Sequence, residues 1–370
     1  MLTTPIIQFG TSRFLQAHAA LFVSEALQVS QAAGQITVVQ SSGDPTRAKR
    51  LSALAAPDGY PVHIRGLKNG IPVDDVQRVT SVARTLSTAT DWAELSRVFV
   101  DEAQFILSNT GDKGFDAQPA DTNAEFDQRM SYPAKLTLLL KARFEAGAAP
   151  IQIMPLELIV QNGQVLKGRV RSIARNMEAD FQRYLEKDVI WVDSLVDRIV
   201  SEPIEPAGAI AEPYALWAVE NQTGLVLPCS HPAIQIVDRL DNVEALKLFV
   251  LNLGHTYLAD KWREGNWDRE ATVLEMLDDK ACLAGLKSIY IGEVLPSFAA
   301  AGLLQEAQSY VDTTLERFAN PFLRHRVVDI AQNHAEKVER RITAFLNWAK
   351  TQGDCSEKPR LTALSHSLAL

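Results

Sequence analysis

The chain is short of the residues that staple a fold or carry it across a membrane. Its 370 residues include only three cysteines, Cys229, Cys282 and Cys355, widely spaced and odd in number, which argues against a disulfide framework. There is no CxxC pair or Cys/His cluster, so no metal site is expected. No uninterrupted apolar run reaches the length needed to cross a bilayer, and the opening MLTTPIIQFG lacks the basic start and apolar run of a signal peptide. The expectation is a cytoplasmic protein without a membrane partner. Positive charge is also in deficit: 37 Lys and Arg stand against 45 Asp and Glu, a net charge of -8. That balance argues against a dedicated nucleic-acid binder.

What remains is ordinary globular composition, 46% hydrophobic and 22% charged. The chain is longer than a single core readily supports, so two domains are expected. In the first part, short apolar runs alternate with helical patterns. PIIQF (5–9), ITVVQ (36–40), VHIR (62–65), AQFILSN (103–109) and IQIMP (151–155) read as strands, with helices over about 14–31 and 134–146. KDVIWVD (187–193) and HPAIQIVD (231–238) read as further strands, separated by a proline-punctuated loop, SEPIEPAGAIAEP (201–213). Strands alternating with helices imply crossovers and a parallel sheet covered on both faces. From about residue 242 to 350 the pattern is helical. The fold class is therefore α/β: a Rossmann-like doubly wound sheet over 1–240, followed by a mostly α-helical domain over 241–370.

Gly10 falls where the first strand turns into the first helix, the place where a doubly wound sheet holds a dinucleotide's pyrophosphate. The turn reads GTSRFLQAH, with Ser12 where a second glycine is usual and no third glycine. Gly10, Thr11, Ser12 and Phe14 are the candidates here, against the plain alternative of a strand–helix turn with a convenient glycine. Asp44, after the second strand, suits an adenosine ribose and so NAD; an Asx-turn is the other reading. Arg47 and Arg50 suit a 2′-phosphate, so NADP is not excluded. Asn109 and Thr110, in SNTGDKGF (108–115), either contact the cofactor at the strand ends or cap the turn.

The stretch EALKLFVLNLGHTYLAD (244–260) is a helix apolar on nearly every face, yet it carries Lys247, Asn252 and His255. At 100° per residue Asn252 lies roughly 140° from Lys247, with His255 between them, so the three share a sector. A buried lysine is costly unless paired or neutral. Three readings stay open: a pairing with a carboxylate such as Glu244, snorkelling to solvent from the first turn, or a pocket in which a proton moves.

KLFVLNLGH resembles the KxxxxNGxH pattern of the long-chain polyol dehydrogenase family, which contains mannitol dehydrogenases and hexuronate reductases. Leu253 replaces the usual glycine and Gly254 follows it. IIQFGTSRFLQAH is similar to the family's first-strand motif, although Ser12 and Arg13 depart from its glycine-rich form. MSYPAKLTLLL, MPLELIVQNGQVLKGRV, LVDRIV and ERFANPFLRH extend the likeness over most of residues 5–350. Mannitol-type members carry an asparagine in a CDN or CEN segment where this chain has Leu158 in PLELI, which favours the branch acting on sugar acids.

The resemblance implies metal-independent hydride transfer involving NAD and a sugar acid or polyol (tagaturonate/altronate-like), in a monomer or homodimer. It assigns Lys247 as general acid/base, Asn252 as donor to the developing oxyanion and His255 as the group that orients substrate. A general base works best with a pKa of roughly 7–8, which a lysine reaches when desolvated. Arg317 and His325 in ERFANPFLRH match a substrate-facing family segment, and a guanidinium pairs well with a carboxylate; a surface salt bridge is the alternative for Arg317. Glu157 is a further substrate-binding candidate by position. Asp197 and Arg198 read as an inter-domain ion pair, and His18 as a core or capping histidine. A polyol-phosphate (mannitol-1-phosphate-like) dehydrogenase and a non-catalytic dinucleotide-binding sensor are the competing functions. The Lys/Asn/His trio argues against the sensor.

Overall fold

Four consecutive residues, Ile6–Phe9, are all buried, as expected of a strand covered on both faces. The computed structural model describes residues 3–111 and 113–366. In chain order its strands are β1 (Ile6–Phe9), β2 (Ile36–Gln40), β3 (Tyr60–Lys68), β4 (Ile71–Val79), β5 (Val82–Ser87), β6 (Phe105–Ser108) and β7 (Ile151–Pro155). They continue with β8 (Val189–Trp191), β9 (Ser194–Asp197), β10 (Val200–Pro203), β11 (Ala209–Ala211), β12 (Leu216–Glu220) and β13 (Ile234–Val237). The central sheet has the order β5-β2-β1-β6-β7-β8, and its pairings are all parallel. Side chains alternate between two apolar cores. Ile6, Val38, Phe105 and Leu107 enter one, and Ile7, Phe9, Val39 and Ile106 the other. This is the doubly wound arrangement.

From β1 the sheet grows through β2 to β5, then restarts on the opposite side of β1 at β6. The strand order therefore reverses between β1 and β6, and the crevice at the C-terminal ends of those strands is where such folds take ligands. Gly10 and Asn109, which follow β1 and β6, both lie there.

Two smaller sheets complete this part, β10-β11-β3-β4 and β13-β12-β9. The stretch 201–213, expected to be a loop, instead contributes to β10 and contains β11, which pair antiparallel. Its prolines do not forbid this, because Pro203 ends β10 and β10 is an edge strand, where a missing N–H breaks no internal ladder. β4 gave no apolar signal because most of its residues are exposed.

The chain forms two compact units, Met1–Ile64 with Asp75–Leu240, and Arg65–Asp74 with Asp241–Leu370. The tip of the β3–β4 hairpin thus belongs to the second unit, an excursion that one sequence boundary near 240 does not contain. Within that unit Asn320 Nδ2 donates to the Arg65 carbonyl at 3.2 Å, and the Arg65 guanidinium lies 5.6 Å from the Phe322 ring centroid. The remainder is helical, around a core that includes Val250, Leu253, Leu258, Leu286, Tyr290, Phe298 and Phe345. Three helices here pass through π-helical turns, at Lys247–Asn252, Tyr290–Val294 and Glu339–Thr343. Among the described residues no helix is long and apolar enough to cross a membrane.

Candidate active site

The first unit carries a polar cavity of about 290 Å³ at the reversal point of its sheet. Gly10, Thr11 and Ser12 line it from the end of β1, Gln40, Ser41 and Ser42 from the end of β2, and Asn109, Thr110 and Gly111 from the end of β6; Arg47 and Arg50 complete it. No acidic side chain is among these residues. Gly10 has φ +121°, and a Cβ there would sit 2.5 Å from the Asn109 carbonyl oxygen. Only glycine lets β1 turn so close to the end of β6. A crevice at a switch point with no acid among its described lining residues fits a dinucleotide carrying two phosphates.

The walls of this cavity are braced from behind. Asn109 Nδ2 donates to the Leu156 carbonyl at 2.7 Å. Glu157 is buried and does not line the cavity; its carboxylate accepts from Ser108 Oγ at 3.0 Å, Thr110 N at 3.0 Å and Thr110 Oγ1 at 3.1 Å. Burial pushes the Glu157 carboxyl above its usual range, against the pull of those donors. It lies behind the turn that follows β6 and holds that turn in place. Asp44 is also committed elsewhere: Oδ1 accepts from Thr46 N at 2.8 Å and Thr46 Oγ1 at 2.7 Å, capping helix Pro45–Ala48. The capping reading therefore describes Asp44 better than the ribose reading. Ser12 lines the cavity and also caps, accepting from Leu15 N at 3.2 Å. Phe14 does not line it and stacks on His18, ring centroids 4.7 Å apart.

His18 is a core histidine, fully buried and bonded to the Leu216 carbonyl at 3.0 Å. Burial pushes its imidazole down to about 3, despite the opposing bond to Leu216. Arg198 donates to the carbonyls of Ala17 and Glu212 at 2.7 and 2.8 Å. Those partners lie in its own unit, where it braces the backbone. Lys135, in the SYPAKLT segment, received no role from the sequence. It is 3% exposed, and its Nζ donates to the Ser41 carbonyl at 2.7 Å, fixing the turn after β2. Burial lowers it to about 8, with Asp127 and Asp121 pulling the other way. The rest of that motif is a helix start: Ser131 caps, with a proline in the first turn.

The second unit presents Lys247, Asn252 and His255 on a π-helical turn that runs into helix Leu253–Glu264. This changes the angular argument. Bonds in a π-helix run from i to i+5, so residues five apart lie about one turn above each other. Lys247 and Asn252 share a face more closely than an α-helix allows, and His255, three residues on, continues it. Tyr290 Oη donates to the Val250 carbonyl at 2.9 Å, satisfying a backbone acceptor inside the turn. A Cβ on Gly254 would sit 2.0 Å from that hydroxyl. Gly254 is therefore the small residue the turn requires, in place of a glycine at 253.

Lys247 is half-buried, as are Leu246 and Leu248. Lys247 is therefore less buried than the apolar run suggested. His255 is the deeply buried member, 7% exposed, with its ring 4.3 Å from that of Phe318 and 4.8 Å from that of His325. Among the described residues no hydrogen-bond partner reaches its Nε2. Burial holds the imidazole well below its ordinary value, and His325, Arg317, Arg341 and Lys337 push it the same way. His255 is thus neutral at neutral pH. Arg317 is 5% exposed, which removes the surface salt-bridge reading. His325 is also lowered by burial, with Asp329 opposing.

Arg341 and Lys337 were missed. Arg341 Nη1 donates to Thr256 Oγ1 at 3.2 Å and lies 3.4 Å from the Asn252 carbonyl; Lys337 Nζ donates to the Ile330 carbonyl at 2.7 Å. Their signal was a basic pair four residues apart in HAEKVERR, a helical spacing.

Residues 4–226 match the mannitol dehydrogenase Rossmann domain and 239–365 the mannitol dehydrogenase C-terminal domain. The chain belongs to the mannitol dehydrogenase family and is a dehydrogenase acting on CH–OH groups. Among individual relatives it is similar to the altronate oxidoreductase of Klebsiella pneumoniae, 30% identical over 96% of this chain and 77% of the relative. That of Halalkalibacterium halodurans is 28% identical over 92% and 70%. In fold it resembles D-sorbitol dehydrogenase, with a TM-score of 0.77, 20% identity, and 93% and 76% of the two chains covered. It also resembles the mannitol 2-dehydrogenase of Pseudomonas fluorescens, solved with NAD and D-mannitol, at 0.73, 17%, and 100% and 79%.

Proposed function

We propose that the protein is an NAD-dependent, metal-independent oxidoreductase that interconverts a keto sugar acid and its hydroxy form, of the tagaturonate/altronate kind. Bound NAD(H) accepts or supplies the hydride. Gly10, Thr11, Ser12, Asn109 and Thr110 hold the dinucleotide, with Glu157 and Lys135 stiffening the turns behind them. In the reducing direction Lys247 gives a proton to the carbonyl oxygen as hydride arrives at the same carbon. The Asn252 amide donates to that oxygen as negative charge develops on it. Neutral His255 holds a substrate hydroxyl through Nε2, which otherwise stays buried at a cost of roughly 1–3 kcal/mol for a lost hydrogen bond.

One observation carries the sugar-acid assignment: the buried His255 sits near three basic side chains, Arg317, Arg341 and Lys337, in an acidic protein. A carboxylate-bearing substrate is complementary in charge to that environment. The altronate oxidoreductases among the relatives support the same class. The same cations would also receive a phosphate, so a polyol-phosphate dehydrogenase is the second reading. A cytoplasmic location is proposed from the three free cysteines.

The test mixes purified protein with NADH or NADPH and a panel of ketouronates, ketoses and ketose phosphates, following nicotinamide absorbance. Turnover confined to ketouronates supports the proposal. Turnover confined to ketose phosphates replaces it with the second reading, and cofactor binding without turnover replaces it with a sensor.

A further inference from the structure

The end of β2 decides how a doubly wound fold reads the adenosine ribose. In folds selective for NAD an acidic side chain there accepts from the ribose 2′-OH. Here β2 ends on Gln40, followed by Ser41, Ser42 and Gly43. Gln40 is occupied: Nε2 donates to the Asp44 carbonyl at 2.6 Å and Oε1 accepts from Ser87 Oγ at 3.2 Å. Asp44, the next acid along the chain, spends Oδ1 on Thr46 and is not among the described residues that line the cavity.

Besides Gln40, the described side chains that line this end of the cavity are Ser41, Ser42, Arg47 and Arg50. Both arginines are only loosely held. Arg47 Nε is 3.6 Å from Asp44 Oδ2, and Arg50 Nη2 is 3.8 Å from Glu205 Oε1. Neither separation is a hydrogen bond. Arg47 and Arg50 keep 58% and 33% of their side-chain surface exposed, so both can turn towards a ligand. The turn is held still, with the Ser41 carbonyl accepting from Lys135 Nζ at 2.7 Å and Gln128 Nε2 at 3.1 Å. Two guanidinium groups and a serine hydroxyl over a fixed turn match a phosphate dianion better than a neutral hydroxyl.

We infer that this cavity accepts the 2′-phosphorylated dinucleotide, with Arg47 and Arg50 receiving the 2′-phosphate, so that the protein binds NADP(H) at least as tightly as NAD(H). The inference rests on the dinucleotide reading of the first unit and adds the feature that sets cofactor choice.

Binding of NADPH, NADH, 2′,5′-ADP and 5′-AMP to the full-length protein, measured by calorimetry or nicotinamide fluorescence, tests it without reference to turnover. NADPH is expected to bind as tightly as NADH or tighter, and 2′,5′-ADP about tenfold or more tighter than 5′-AMP. Arg47→Ala with Arg50→Ala lowers the ratio of NADPH to NADH affinity about tenfold or more, and each single change lowers it in part. Asp44→Asn leaves that ratio within about twofold. NADPH binding about tenfold weaker than NADH overturns the inference while the dinucleotide reading stands. So does an equal loss of both cofactors in the double variant, which would place the arginines on phosphates common to the two. An affinity ratio that rises about tenfold in Asp44→Asn overturns it as well, since Asp44 would then be reading the ribose. Failure of all four ligands to bind overturns the dinucleotide reading itself.

Discussion

Glu157 in the first unit and His255 in the second are both buried titratable groups, and the protein treats them in opposite ways. Glu157 accepts from three donors and braces a turn. His255 Nε2 has no partner among the described residues, and burial, aided by neighbouring basic groups, holds the imidazole well below its ordinary value. The same contrast runs through the two halves. In the first, Asp44, Asn109, Ser12 and Gln40 are tied to the backbone or to each other, so a ligand meets a preformed shape. In the second, a π-helical turn gathers an amine, an amide and an imidazole on one face, the imidazole Nε2 without a partner among the described residues. On the proposed reading, holding a cofactor calls for a fixed shape, whereas proton transfer calls for a face that a substrate can reach.

The largest effect that sharpens this contrast is expected from Lys247→Ala. It should cut kcat by about 10²–10⁴-fold, the usual worth of a positioned acid/base, while NADH affinity stays within about twofold. A change confined to cofactor affinity would move Lys247 into the holding half. Asn252→Ala follows, with kcat down about 10²–10³-fold as for an oxyanion donor, read from single-turnover rates at saturating NADH. Gly254→Ala probes the turn itself. A methyl group 2.0 Å from Tyr290 Oη must displace that ring, so a loss of about 1–3 kcal/mol in urea unfolding should accompany a fall in kcat. Unaltered stability and turnover would show that the close contact is dispensable.

The smallest effect is expected from His18, a committed group of the first unit. Its folded value of about 3 lies below the ordinary 6.5. The unfolded chain therefore takes up a proton that the folded one refuses, and stability is lost as pH falls below 6.5. Between pH 6.5 and 4.5 this site should account for about 2–3 kcal/mol of that loss. His18→Gln, which keeps a donor for the Leu216 carbonyl, should flatten the acid limb of the urea midpoint against pH by that amount. Parallel acid limbs for the two proteins would show that His18 takes its proton while folded.

The strands of the central sheet at β1, β2, β6, β7 and β8 were legible because burial on both faces writes them as apolar runs. β4 and the β10–β11 pair were not, because exposed edge strands carry charges and prolines without an apolar rhythm. Of the candidate site, the crevice at Gly10 and Asn109 could be placed from strand ends alone. The role of Asp44 could not, since a helix cap and a ribose acceptor look alike in sequence. The π turn left only one trace, a lysine and an asparagine five residues apart where an α-helix favours three or four. It depends on contacts from distant segments, Tyr290 on the Val250 carbonyl and Arg341 beside that of Asn252, which no local propensity encodes. Lys135, Lys337 and Arg341 were visible as residues, but their burial or neighbourhood came from packing.

The most direct test of proton transfer at Lys247 is chemical rescue of Lys247→Ala by small primary amines, followed as NADH-dependent reduction of a ketouronate. The account predicts a rate that rises with amine concentration and depends on amine basicity, with no such rise in the wild-type protein. A variant that still binds NADH but gains nothing from any amine, or a wild-type protein accelerated equally, would contradict it.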